Sequence, residues 1–121
     1  MPNNFVHTEL NTTDVEKAKA FYGKLFDWTL QDLQMGDLPY TLIQVDGKVI
    51  GGILTNPMPG APSFWLSYVL VDDIAAMTQK AKSLGAKVVR DVTEVPDTGW
   101  FSILQDPTGA GIALWKPKMK S

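Results

Sequence analysis

Two stretches of this 121-residue chain carry the same pattern at a spacing of 59 residues. In the first, Val6, Thr8 and Leu10 alternate with Phe5, His7 and Glu9, the period of a half-buried strand. Thr13 then offers a helix N-cap with Glu16 as its capping-box partner. Val15, Ala18, Tyr22 and Leu25 fall on one helical stripe. In the second, Phe64 to Val71 reads as a strand and Asp72-Asp73 as a cap. Ile74, Met77, Ala81 and Leu84 repeat the stripe at the same offset. Gly85 follows, where a helix end favours glycine. A chain that returns to the same grammar in this way is built from two copies of one unit.

Each helix pattern is followed by three strand-like runs. In the first half these are Trp28 to Met35, Tyr40 to Val45 and Val49 to Leu54, with turns at Gly36-Asp37 and Asp46-Gly47. An Asp-Gly pair between apolar runs is a sharp hairpin cue. In the second half they are Lys87 to Val95, Trp100 to Leu104 and Ile112 to Trp115. Turns are read there at Pro96-Asp97-Thr98-Gly99 and Asp106-Pro107-Thr108-Gly109. Residues 55–63 hold three prolines and a glycine, a linker composition. The sequence therefore predicts one domain of residues 1–121, with module 1 over about 4–54 and module 2 over about 64–117. At roughly 60 residues, neither module covers its own apolar sheet face unaided. The predicted class is α+β: two tandem βαβββ modules forming a pseudo-symmetric, curved mixed sheet with a cleft.

Composition removes several functions. Eleven Lys plus Arg stand against thirteen Asp plus Glu, a net charge of −2, without the basic stripe that a nucleic-acid binder uses to displace counterions. No apolar run approaches the roughly 18 residues needed to span a bilayer. The opening Met1 to Leu10 has neither a basic nor an apolar leader region, so a cytoplasmic location is expected. Cysteine is absent, which excludes disulfides, thiolate metal sites and Cys nucleophiles. Gly51-Gly52 has no following Lys-Ser/Thr and lies inside a strand pattern, so it marks a close approach to the backbone and not a phosphate loop. Lys116, Lys118 and Lys120 read as a solvated end.

Several local motifs fit one known family. They are His7-x-x-Leu10, Thr13-Asp14, Ala20 to Trp28, Ile50-Gly51-Gly52, Val71-Asp72-Asp73-Ile74, Leu84-Gly85-Ala86 and Asp106-Pro107-Thr108-Gly109-Ala110. Together with the paired modules, they resemble the vicinal oxygen chelate superfamily of glyoxalase, bleomycin-resistance and extradiol-dioxygenase proteins. The resemblance runs from about Phe5 to Pro117 and is strongest to its glyoxalase-like group. It implies a divalent metal held by ligands from the first and last strands of each half. Those positions fall on His7, Gly51, Leu66 and Ala113. Only His7 is a ligand, whereas a catalytic metal needs about three, so no metal or other cofactor is expected. A divalent metal held by His7 and Glu9 is the alternative.

The predicted site follows from strand phase. His7 and Glu9 lie opposite the helix-packing residues, where they could act as a general base and its orienting carboxylate. A carboxylate facing an apolar wall must be paired, protonated or bound. The ligand-binding candidates are His7, Glu9, Leu66, Tyr68, Trp100, Ala113 and Trp115. Trp28 and Trp65 read as packing residues, and Tyr40 opens its strand without a readable phase. Two functions remain open. One is a metal-free protein that binds a small organic ligand; the other is a glyoxalase-like lyase or isomerase moving protons with His7 and Glu9. The expected partner is a small molecule, with neither nucleic acid nor membrane, and a homodimer is a third reading of the exposed sheet faces.

Overall fold

The computed structural model describes residues 3–35, 38–56 and 60–118. The elements are β1 (Phe5–Thr12), α1 (Val15–Leu25), β2 (Thr29–Met35), β3 (Leu38–Val45) and β4 (Lys48–Thr55). They are followed by β5 (Phe64–Leu70), α2 (Ile74–Ser83), β6 (Lys87–Val95), β7 (Gly99–Gln105) and β8 (Gly111–Pro117). Strand, helix and three strands thus occur twice, as the repeat predicts. The turn read at Gly36-Asp37 and the linker residues Pro57, Met58 and Pro59 lie outside the described residues.

The chain divides into two compact units, one of residues 7–66 and one of residues 67–118 joined by residues 3–6. Ahead of β1, and within the second unit, the Asn4 carbonyl accepts from the Leu70 amide at 2.8 Å. Within the first unit the strands lie in the order β2-β3-β4-β1. The pairs β2–β3 and β3–β4 are antiparallel, and β4–β1 is parallel. The second unit repeats this as β6-β7-β8-β5, again with only its last pair parallel. Each unit is a mixed four-stranded sheet with one helix, the α+β class expected.

One face of each sheet packs against its helix. In the first unit Leu10, Ile43 and Ile53 form the buried centre, and Val15, Ala18 and Tyr22 of α1 close over it with Trp28 and Leu30. In the second unit Val71, Ile74, Leu104 and Leu114 do the same beneath Met77 and Ala81 of α2. A polar pin joins that helix to its sheet: buried Thr78 donates to the Ile74 carbonyl at 2.7 Å and meets the Ser102 hydroxyl at 2.9 Å. The first three positions of each helix stripe read from sequence pack in this way, whereas the fourth, Leu25 and Leu84, is exposed at 55% and 69%.

The helix starts differ from the expectation in one respect. Asp14, and not Thr13, is the N-cap of α1, its side chain accepting from the Lys17 amide at 3.0 Å. Glu16 is not a capping-box partner and instead pairs with Lys19. Asp73 caps α2 in the same way, accepting from Ala76. The two aspartates are repeat equivalents, which is why the cap falls on the residue type that both copies share. At the far end of α2, Gly85 has φ of +102°. Its amide bonds to Lys82 while that of Ala86 bonds to Ala81, a Schellman closure that needs a residue at ease with positive φ.

These caps lead to a stability expectation. Asp14→Ala and Asp73→Ala should each cost about 1 kcal/mol, by loss of a satisfied amide donor. Thr13→Ala should cost less than Asp14→Ala. Urea unfolding of the three variants measures the order.

Candidate functional site

The site begins with the register of β4. From the Asp46-Gly47 turn, where both φ values are positive at 51° and 77°, Val45 pairs with Lys48 and Gln44 with Val49. The ladder then slips, and Ile43 pairs with Gly51. Ile50 is thus an extra residue on β4, a β-bulge that reverses which side chains share a face beyond it. Leu42 now stands opposite Gly52, and Gly52 stands opposite Glu9 on β1. Tyr40, His7 and Glu9 therefore come to the same side, away from α1.

Tyr40 is on β3 and Glu9 on β1, with β4 between them. The tyrosine ring crosses β4 over Gly52, where any Cβ would collide with the Tyr40 hydroxyl and ring. Gly51 is equally constrained, because a Cβ there would meet the Thr8 carbonyl. The adjacent glycines thus serve the close approach anticipated for them, one to backbone and one to an aromatic ring.

The Tyr40 hydroxyl donates to Glu9 Oε2 at 2.8 Å and lies 2.9 Å from His7 Nε2. Asn11 Nδ2 donates to Glu9 Oε1 at 3.4 Å. Glu9 is only 7% exposed and Asn11 3%. A buried carboxylate must be hydrogen-bonded, and these donors meet that need. With Tyr40's single proton directed to Glu9, its oxygen accepts from His7 Nε2–H, which places the imidazole lone pair on Nδ1. Burial pushes the His7 pKa below its ordinary 6.5, because removal from water disfavours the charged ring. At neutral pH the histidine is therefore uncharged, the form that can accept a proton.

The other sequence candidates are distributed as follows. Leu66 is fully buried. Tyr68, Ala113 and Trp115 lie in the second unit on its helix-free side, where Tyr68 pairs with Ala113 and Phe101 with Trp115. Trp100 packs against the helix-side core, and the ammonium groups of Lys116 and Lys118 lie 5.0 and 5.3 Å from its ring centre. Lys118 also pairs with Glu94, so these two lysines are anchored, in contrast to the solvated end read from sequence. Lys120 lies outside the described residues. Trp28 and Trp65 form aromatic packing with Tyr22, at 5.7 and 5.5 Å between ring centres. Sequence reasoning missed Tyr40 and Asn11 as members of the polar group.

Of the four implied metal-ligand positions, Gly51, Leu66 and Ala113 have no electron pair to donate. Among the described residues no three His, Cys, Asp or Glu side chains gather closely enough to hold an ion. This donor set does not fit a metal held by this chain alone. No helix among the described residues is long and apolar enough to cross a membrane.

Comparison with known proteins follows the fold. The family model described as Glyoxalase/Bleomycin resistance protein/Dioxygenase superfamily matches residues 4–114. The "Putative glyoxylase CFP32" of Mycobacterium tuberculosis is 35% identical over 114 residues, covering 89% of this chain and 43% of that protein. The anthracycline biosynthesis protein DnrV of Streptomyces peucetius is 28% identical over 123 residues, covering 89% and 45%. The chain thus spans less than half the length of either relative. Among solved structures, the methylmalonyl-CoA epimerase of Mycobacterium tuberculosis superposes with a TM-score of 0.69 at 16% identity, covering 95% of this chain and 88% of that one. The Mn(II)-bound glyoxalase of Novosphingobium aromaticivorans gives 0.63 at 14%, covering 98% and 41%. At these identities the superpositions establish a shared fold.

Two measurements test the geometry. His7 is the only histidine, so its ring protons report its titration directly by NMR, with an expected midpoint below 6.5. Because the folded value is depressed, this residue makes stability fall as pH drops below about 6.5 and level off beneath the folded midpoint. His7→Gln should remove that component from the unfolding curve. Separately, Gly52→Ala should cost about 1–3 kcal/mol by overpacking. Adding Tyr40→Ala to it should cost less than the two single losses combined, a coupling that a double-mutant cycle in urea measures.

Proposed function

This chain belongs to the Glyoxalase/Bleomycin resistance protein/Dioxygenase superfamily, and from that premise we propose that it binds a small organic molecule at His7, Tyr40 and Glu9 without a metal. The observation that carries this reading is the passage of Tyr40 over Gly52 to join a histidine and a buried glutamate. Core packing makes no demand for three linked polar groups on the face that the helix does not cover. Holding them there costs desolvation, and a ligand with a carbonyl or hydroxyl group is the partner such a group suits. An oxygen of that kind can enter the network by donating to Glu9 or by accepting from Tyr40. The likeness to a protein named a glyoxylase is compatible with such a ligand.

The same geometry favours a second reading, proton transfer. An imidazole kept neutral by burial can remove a proton from carbon beside a carbonyl and return it to another position, an isomerisation with no net consumption of protons. Tyr40 and Glu9 would then hold Nε2–H and stabilise the imidazolium that forms. Lyase chemistry would use the same first step.

The experiment is a screen of small hydroxy and keto compounds, observed by amide and His7 ring chemical shifts. Binding should move the His7 signals, and Tyr40→Phe should weaken it about tenfold, the worth of one hydrogen bond to a charged network. If no compound moves His7, or if Tyr40→Phe binds as well as the parent, the binding reading fails. For the second reading, bound keto compounds should exchange an α-proton for deuterium, and His7→Ala should stop the exchange.

A further inference from the structure

The second unit has a helix-free face of different character, and β6 decides what it presents. Counting back from the turn, Val95 pairs with Gly99, Glu94 with Trp100 and Thr93 with Phe101. A regular ladder would continue to Arg90 opposite Leu104, in the helix-side core. The register instead slips twice, placing Arg90 opposite Ile103 and Val88 opposite Leu104. These bulges keep valine in the core and turn Arg90 to the other face. Bulges commonly re-aim a side chain in this way beside a site.

Arg90 is the only arginine in the chain. Its guanidinium lies 5.5 Å from the Phe101 ring centre, and Nε donates to the Thr93 hydroxyl at 3.3 Å. The guanidinium lies over the ring in a cation–π contact and gives Nε to Thr93, which leaves its two terminal nitrogens to form a bidentate fork. Phe101 also meets Tyr68 edge-on at 6.5 Å and pairs with Trp115. Lys87, opposite Gln105, shares the face further along β6. The carboxylate next to Arg90 in sequence, Asp91, accepts from the Val92 amide at 2.7 Å, and no ion pair joins it to Arg90 among the described residues. This face combines aromatic rings with an arginine that makes no ion pair among the described residues.

We propose that the helix-free face of the second unit binds a flat organic anion, an aromatic carboxylate in the simplest case. Arg90 takes the carboxylate in a forked pair, and Phe101 and Trp115 contact the ring. Its residues belong to the second unit, and none is shared with the His7, Tyr40 and Glu9 group of the first.

The test compares 1-naphthoate with 1-naphthamide, which share shape and differ in charge. Titrations are followed by amide shifts on β6 to β8 and by the Trp115 indole signal. The parent protein should bind the carboxylate about tenfold more tightly than the amide, as a forked charged pair would give. Arg90→Gln should erase that preference, Arg90→Lys should retain part of it, and Tyr40→Phe should leave it unchanged. Arg90 is exposed, so these variants keep the fold, which an otherwise unaltered amide spectrum verifies. Equal affinity for the two probes, no binding of either, or an Arg90→Gln variant that still prefers the carboxylate would overturn the proposal. So would shifts centred on His7 and lost with Tyr40→Phe, because they would assign the probe to the first unit.

Discussion

The extra residue at Ile50 governs the chemistry of the first unit. Side chains on a strand alternate between faces with a period of two, so one inserted residue exchanges the faces of everything beyond it. Without the insertion, Gly52 would stand opposite Thr41, on the side of Ile43 and the helix. With it, the glycine lies beneath the path of Tyr40, and a ring from β3 reaches a carboxylate on β1 across the whole width of β4. The bulge, the glycine and the tyrosine form one device, in which each part has no purpose without the other two.

The second unit uses the same means to a different end. Two register slips on β6 reserve the core for Val88 and Val92 and bring the single arginine over Phe101. The two units therefore share topology, caps and helix stripes, while the irregular positions of one strand in each give them separate characters. A duplicated scaffold tolerates such divergence because bulges alter the face of a few residues without disturbing the helix-covered side.

Most of the architecture was legible because it rests on periodicity. The stripes from Val15 and Ile74, the Asp-Gly turn and Gly85 each carry a local signal that the fold obeys. The phase of His7 and Glu9 was legible for the same reason, since Val6, Thr8 and Leu10 had to face the helix. Tyr40 was not, because its face depends on a bulge that leaves no mark in composition. Ile50 and Val49 read as an ordinary continuation of a strand. Trp100 was grouped with the ligand-facing residues because its aromatic character fits either side. Only its packing against the core of Val71, Ile74, Leu104 and Leu114 assigns it to the helix side. The cap moved by one residue because Thr13 and Asp14 are both good caps, and the repeat, which matches Asp14 to Asp73, was the better guide.

The parallel joining of β1 to β4 has a consequence for assembly. Antiparallel neighbours β2, β3 and β4 are linked by short turns and can close locally. The partner that completes their sheet is separated from them by a helix and two strands, so its closure carries the larger entropic cost. His7 and Glu9 are carried by that partner, whereas Tyr40 is on β3. The polar triad therefore exists only where that non-local pairing of β1 with β4 is made.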